Sequence, residues 1–192
     1  MSERVKNIIK KIYPISKKSF LDIEQLIEFE TFSNGNTFIK KNRRSDKEYF
    51  VLRGICKSYL INPDGEEISI SFFMEGTIIS PHSIRTSKDI SNQYIKALTD
   101  IELASINAKE FEALMIENTE IRNFANTVLQ NELKLKVEKE IELASLSAKE
   151  RLIKFRKKYI ALENLIPHTD IATYLGITNI SLSRLRKELS NR

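Results

Sequence analysis

Apolar residues recur with a period of about two between residues 28 and 106 and with a period of three to four from residue 108 onward, so strands give way to helices near mid-chain. Tyr49, Phe50, Val51 and Leu52 ahead of Gly54 predict a strand over 48–54, and a second over 55–61 leads into the turn Asn62, Pro63, Asp64, Gly65. Beyond that turn Ile68, Ile70 and Phe72 alternate with polar neighbours, which predicts a β-hairpin with one buried face. Further strand runs at 37–40, 94–98 and 101–106 make a set of short strands at close spacing, the pattern of a small barrel or sandwich. Lysines interleaved with apolar residues over 1–15 predict an amphipathic helix rather than a secretory signal.

In the helical half, a short helix is predicted over 108–115 and, after a polar break at Asn118, a long one over 120–146. Leu129, Leu133, Val137 and Ile141 recur every four residues along the long helix, and Ile121, Phe124, Val128 and Leu135 widen the stripe. That is more apolar surface than one neighbouring domain covers, so part of it, with Ile121, Phe124, Val128, Leu129 and Leu135 as the candidates, is expected to pair with its copy in a homodimer. A helix over 148–162 places Leu152, Phe155 and Ile160 inward and Lys154, Arg156, Lys157 and Lys158 outward.

The last thirty residues carry the most specific pattern. A helix over 169–175, a turn at Gly176 and a second helix over 179–189 share Ile171, Leu175, Ile177, Leu182 and Leu185 as one apolar core, with the small Ala172 at the crossing. Asn179, Ser181, Ser183, Arg184 and Lys187 fall on the outer face of the second helix, where donors meet base edges and phosphates in a helix-turn-helix. The net charge of +5 is confined to this end: from residue 149 onward ten Lys/Arg face four Asp/Glu, a balance of +6, and the rest of the chain is −1. Double-stranded DNA is therefore the expected partner.

A hydrophobic fraction of 41% and a charged fraction of 30% are those of a soluble globular protein, and the 192 residues suffice for two modest domains. No apolar run approaches the roughly 20 residues that cross a bilayer. Cys56 is the lone cysteine, read as a packed strand residue, so neither an internal disulfide nor a cysteine-bound cluster is available and the cytoplasm is the expected compartment. His82 and His168 are the only histidines, widely separated in sequence. With no phosphate loop, no metal-ligand spacing and little general-base capacity, neither enzyme chemistry nor a metal or other cofactor is expected.

Strands, a long helix and a C-terminal helix-turn-helix in that order resemble the Crp/Fnr family of bacterial transcription regulators, most closely over 171–189 and 50–76. The resemblance implies an α+β fold: an N-terminal β-barrel or jelly roll of the cyclic-nucleotide-binding type (residues 1–117), a connecting and dimerisation helix (118–146), and a winged-helix-like helix-turn-helix domain lacking most of the wing (147–192). It implies a pseudo-palindromic promoter as target and RNA polymerase as a further partner. By the family pattern Arg184 would read a base, with Asn179 and Ile180 replacing the usual Arg-Glu pair, while His168, Thr169, Thr178, Ser181 and Lys187 would meet phosphate. The effector site departs from the pattern. Ser80, Pro81 and His82 stand where cyclic-nucleotide binders hold Gly-Glu-Leu, and Ser91, Asn92 and Gln93 stand where they hold Arg-Ser-Ala. Both charged ligands are missing, so cyclic AMP and cyclic GMP are not expected there, although Arg85 and Lys88 lie nearby. The pocket, assigned to Ser80, Pro81, His82, Arg85, Ser91 and Asn92, either takes an unidentified small effector or leaves the barrel as a dimerisation platform. The alternative is a barrel-based signalling or scaffolding protein whose helix-turn-helix docks protein, which would not need the confined basic charge.

Overall fold

The computed structural model describes residues 1–80 and 89–190. Among the described residues eight strands precede most of the helical part: β1 (Glu28–Phe32), β2 (Thr37–Ile39), β3 (Lys47–Arg53), β4 (Ile55–Ile61), β5 (Glu67–Met74), β6 (Ile78–Ile79), β7 (Tyr94–Ala97) and β8 (Ile101–Asn107). They form two four-stranded sheets, ordered β1-β8-β3-β6 and β2-β7-β4-β5. The β-part is thus the jelly-roll form of the expected fold, two sheets rather than a closed ring of strands. The described helices are α1 (Ser2–Ile12), α2 (Lys17–Glu24), α3 (Ala108–Glu117), α4 (Thr119–Ser145), α5 (Ala148–Lys158), α6 (His168–Tyr174) and α7 (Asn179–Ser190). None is long and apolar enough to cross a membrane.

Strands β3 and β8 pair antiparallel, Tyr49 opposite Ser105 and Phe50 opposite Ala104, and are covered on both faces. Side chains alternate across a strand. Tyr49, Val51, Ile101 and Leu103 therefore join Ile39, Cys56 and Ile95 from the other sheet in one core. Their neighbours Phe50, Leu52, Ala104 and Ile106 meet Val5 and Ile9 of α1, Phe20 and Ile23 of α2, Phe111 of α3, and Ile121 and Phe124 of α4 in a second. This is why Tyr49 through Leu52 read as an unbroken apolar run. Cys56 lies wholly inside the first core, and burial pushes its thiol pKa up, as befits a packed residue.

Contacts divide the chain into two compact units, Met1–Ser58 with Phe72–Leu133, and Tyr59–Ser71 with Lys134–Arg192. The tip of the β4–β5 hairpin thus groups with the C-terminal helices. There the alternation expected of β5 fails: Ile68 and Ile70 are only half-buried while Ser69 is buried. The polar side of the arm is the covered one, for the Ser69 N–H donates to Thr173 Oγ1 of α6 at 3.1 Å.

A second correction concerns Ile160, expected inward but 83% exposed. Helix α5 stops at Lys158 and Ala161 adopts a left-handed conformation (φ 65°), which reverses the chain and turns Ile160 outward. Tyr159 is buried in its place, its ring 5.1 Å from that of Phe155 and 6.0 Å from that of Tyr174.

Between β3 and β4, Gly54 (φ 91°) passes so close to the facing backbone that a Cβ there would lie 2.4 Å from the Asp100 carbonyl oxygen. Gly54→Ala combines that collision with a left-handed backbone, and its expected cost is about 1–3 kcal/mol or more in urea unfolding.

Candidate nucleic-acid interface

The two-helix motif forms because each helix is ended and begun by local chemistry. At the end of α6 the Gly176 N–H donates to Thr173 O and the Ile177 N–H to Ala172 O, the paired bonds of a Schellman turn, with Gly176 at φ 67°. At the start of α7 the Thr178 hydroxyl accepts from the Ser181 N–H at 3.2 Å and lies 2.9 Å from Ser181 Oγ. Ile171, Ala172, Leu175 and Leu182 close the core between the helices.

Asn179, Ile180, Ser183, Arg184 and Lys187 lie on the exposed face of α7, and Ile180 is 68% exposed, a large apolar side chain with no cover. Thr169 and Thr178 are exposed and Ser181 half-exposed, so their hydroxyls border the same face. His168 is exposed as well, but its imidazole already lies against Arg186, with Nη1 2.8 Å from Nε2.

Sequence spacing missed the residues that hold this face in place. Glu163, in the turn before α6, takes Arg156 in a two-bonded pair (Nε to Oε2 2.6 Å, Nη2 to Oε1 3.0 Å) and Arg186 of α7 through Nε at 2.7 Å. The Arg156 hydrogen bonds hold its carboxyl below the usual range. Arg151 donates to the terminal carbonyls of two helices at once, Leu146 O at 2.6 Å and Leu175 O at 3.0 Å. Lys139 of α4 donates to Ile70 O at 2.6 Å and sits 3.7 Å from the centre of the Tyr174 ring. Burial, with Lys136 and Lys158 nearby, lowers its pKa to about 7. Of the four basic residues expected outward on α5, Lys154, Lys157 and Lys158 are exposed, Lys154 also pairing with Glu142 at 3.2 Å, while Arg156 is half-buried against Glu163.

In the β-roll, Ser80 and Ser91 are buried and Asn92 is exposed; Pro81, His82, Arg85 and Lys88 lie outside the described residues. Ser91 is used internally, its hydroxyl donating to Gln93 O at 2.6 Å and its backbone pairing with Asn42 and Arg43. On α4, Ile121 and Phe124 are closed into their own core and Val128 packs against it, which leaves the first two no surface for a partner helix. Leu129, Leu133, Leu135, Val137 and Ile141 are exposed.

Residues 29–118 match the cyclic nucleotide-binding domain. The chain is 25% identical over 175 residues to the global nitrogen regulator of Nostoc sp., covering 85% of this chain and 78% of that protein. It is 27% identical over 183 residues to the nitrogen fixation regulation protein FixK of Bradyrhizobium diazoefficiens, with 86% and 76% covered. The structure of FixK2 from Bradyrhizobium japonicum superposes with a TM-score of 0.75 at 17% identity, over 86% of this chain and 85% of that one. Over most of its length the chain is similar to regulators of the Crp/Fnr family. Those relatives are regulators, and the helix-turn-helix of this chain is the part with an exposed polar face on a basic unit.

Glu163→Gln removes the charge that holds Arg156 and Arg186 and is expected to cost about 1–2 kcal/mol, moderated because both guanidiniums are partly exposed. Because the folded carboxyl has the lower pKa, the stabilisation is present above the ordinary carboxyl pKa of 4.5 and fades as pH falls through the depressed value. Thermal melts of both proteins should therefore differ at neutral pH and converge in acid.

Proposed function

We propose that this chain is a sequence-specific, DNA-binding transcription regulator that works as a homodimer and does not depend on cyclic nucleotide. The observation that carries the reading is the division of labour on α7. Arg186 is spent on Glu163, whereas Asn179, Ile180, Arg184 and, one turn further along, Lys187 stand exposed. Arg184 is assigned a bidentate contact to guanine, Asn179 an adenine edge and Ile180 a thymine methyl. Thr169, Thr178, Ser181 and Lys187 are assigned phosphates, and His168 joins them through the imidazole it shares with Arg186.

Dimerisation is supported by the stripe that α4 leaves open past Val128, where Leu133 is 63% and Ile141 57% exposed. Two copies joined along this stripe would set their recognition helices about 34 Å apart on a pseudo-palindrome. Independence from cyclic nucleotide is supported by the uncharged Ser91 and Asn92 at positions where cyclic-nucleotide binders carry the arginine element, and by the internal engagement of the Ser91 hydroxyl.

Selection from random duplexes without added nucleotide, followed by titration of the winner, tests the reading. Arg184→Ala is expected to lose about 1–3 kcal/mol of discrimination while nonspecific binding is kept, and Lys187→Ala to weaken all duplexes about equally. Equal loss on specific and random DNA for Arg184→Ala contradicts its assigned role. Leu133→Asp is expected to shift the protein toward monomer in sedimentation and to weaken operator binding, and an unchanged mass would reject this stripe as the dimer seam.

A further inference from the structure

A cleft of about 500 Å³ opens within the C-terminal unit between the last turns of α4, the length of α5 and the end of α6. Its walls carry five cationic side chains, Lys139, Arg151, Lys154, Lys157 and Lys158, against two carboxylates, Glu138 and Glu142. Arg151 is committed to helix-end carbonyls and Lys154 to Glu142. Lys139 donates to the Ile70 carbonyl but has no carboxylate partner, and among the described residues no ion pair holds Lys139, Lys157 or Lys158.

Ammonium groups gathered beside aromatic rings repel one another and lose hydration. Lys139 lies over Tyr174 and Lys158 is 5.2 Å from the centre of the Tyr159 ring. Desolvation lowers the pKa of both, Lys136 adds repulsion at each, and Glu142, with Glu138 at Lys158, offsets only part of it. An anion in the cleft would relieve both costs at once. We propose that this cleft binds a small organic anion bearing two or three negative charges on phosphate or carboxylate groups, held by Lys139, Lys157 and Lys158 against the tyrosine wall. The volume accommodates a molecule the size of a mononucleotide or a tricarboxylate. The site is distinct from the serine-lined region of the β-roll, and its ligand would touch both the long helix and the first helix of the DNA-reading pair. As the effector site of the proposed regulator it would couple to DNA reciprocally. That consequence rests on the functional reading above, but the binding itself does not.

The test uses the full chain, with melting temperature and tyrosine fluorescence followed during titration with pyrophosphate and with citrate, potassium chloride holding ionic strength constant. A saturable stabilisation by either anion is expected, with Lys157→Gln/Lys158→Gln weakening it at least tenfold and Lys10→Gln, at an exposed position of α1, leaving it unchanged. Pyrophosphate alone would assign a phosphate ester, citrate alone a polycarboxylate, and both the shared charge. Lys139→Met should weaken binding as well, and the double variant keeps the test standing if Lys139→Met does not fold. No saturable shift beyond the chloride control with either anion overturns the site, as does an equal shift in the double variant. DNA affinity measured in parallel separates the two readings: an anion-dependent melt in a protein that selects no duplex would keep the cleft and reject the regulator.

Discussion

The structure hangs on a pair of strands that must be buried on both sides. Because β3 and β8 present apolar residues to each face, one face needs the second sheet and the other needs helices, and neither layer can be left out. The need is met by elements from both ends of the β-part: α1 and α2 before it, α3 and the first turns of α4 after it. Helix α4 is therefore anchored by Ile121 and Phe124 at its N-terminal end. Its stripe continues past the point where that core has been filled, and the apolar residues beyond Val128 are left exposed.

In the C-terminal unit the governing problem is electrostatic rather than hydrophobic. Six basic residues of α5 sit beside short helices whose ends expose carbonyls, and the fold sorts those charges individually. Arg151 goes to the carbonyls, Arg156 to Glu163 and Lys154 to Glu142, with Glu163 also taking Arg186 from the recognition helix. The basic surplus noted along the sequence is thus smaller in effect than its count. Among the described residues, Lys157 and Lys158 at the cleft beside Tyr174 and Arg184 and Lys187 on the outer face of α7 stay out of such pairs.

Most of the architecture was legible in the chain because it is written in short-range pattern. Period, turn residues and the glycine at 176 located the hairpin, the long helix and both helices of the DNA-reading pair within a few positions. The misses share a cause. Ile160 satisfied the helical period, but a left-handed Ala161 ended the regular geometry that makes period meaningful. Ser69 sat on the polar side of a strand until a threonine 104 residues away covered it. Glu163, Arg151 and Lys139 act through partners brought near by folding, and spacing along the sequence carries no record of such pairs. For the interface itself, residue type and helical face placed Asn179, Ile180 and Arg184 on the surface, yet could not reveal that Arg186, two positions on, would be occupied.

The unit that carries the DNA-reading helices is not a continuous stretch of sequence. Tyr59–Ser71 belongs with it, tied by the Ser69 N–H to Thr173 and by the Ile70 carbonyl to Lys139. A chimera made by a single cut, joining residues from 134 onward to a foreign sensor, would strip the C-terminal helices of this arm and leave Lys139 a hydrogen-bond acceptor short. Exchange of the module, whether by recombination or by design, has to carry two segments of chain, and the hairpin tip should change in step with α4 and α6 rather than with the sheet from which it springs.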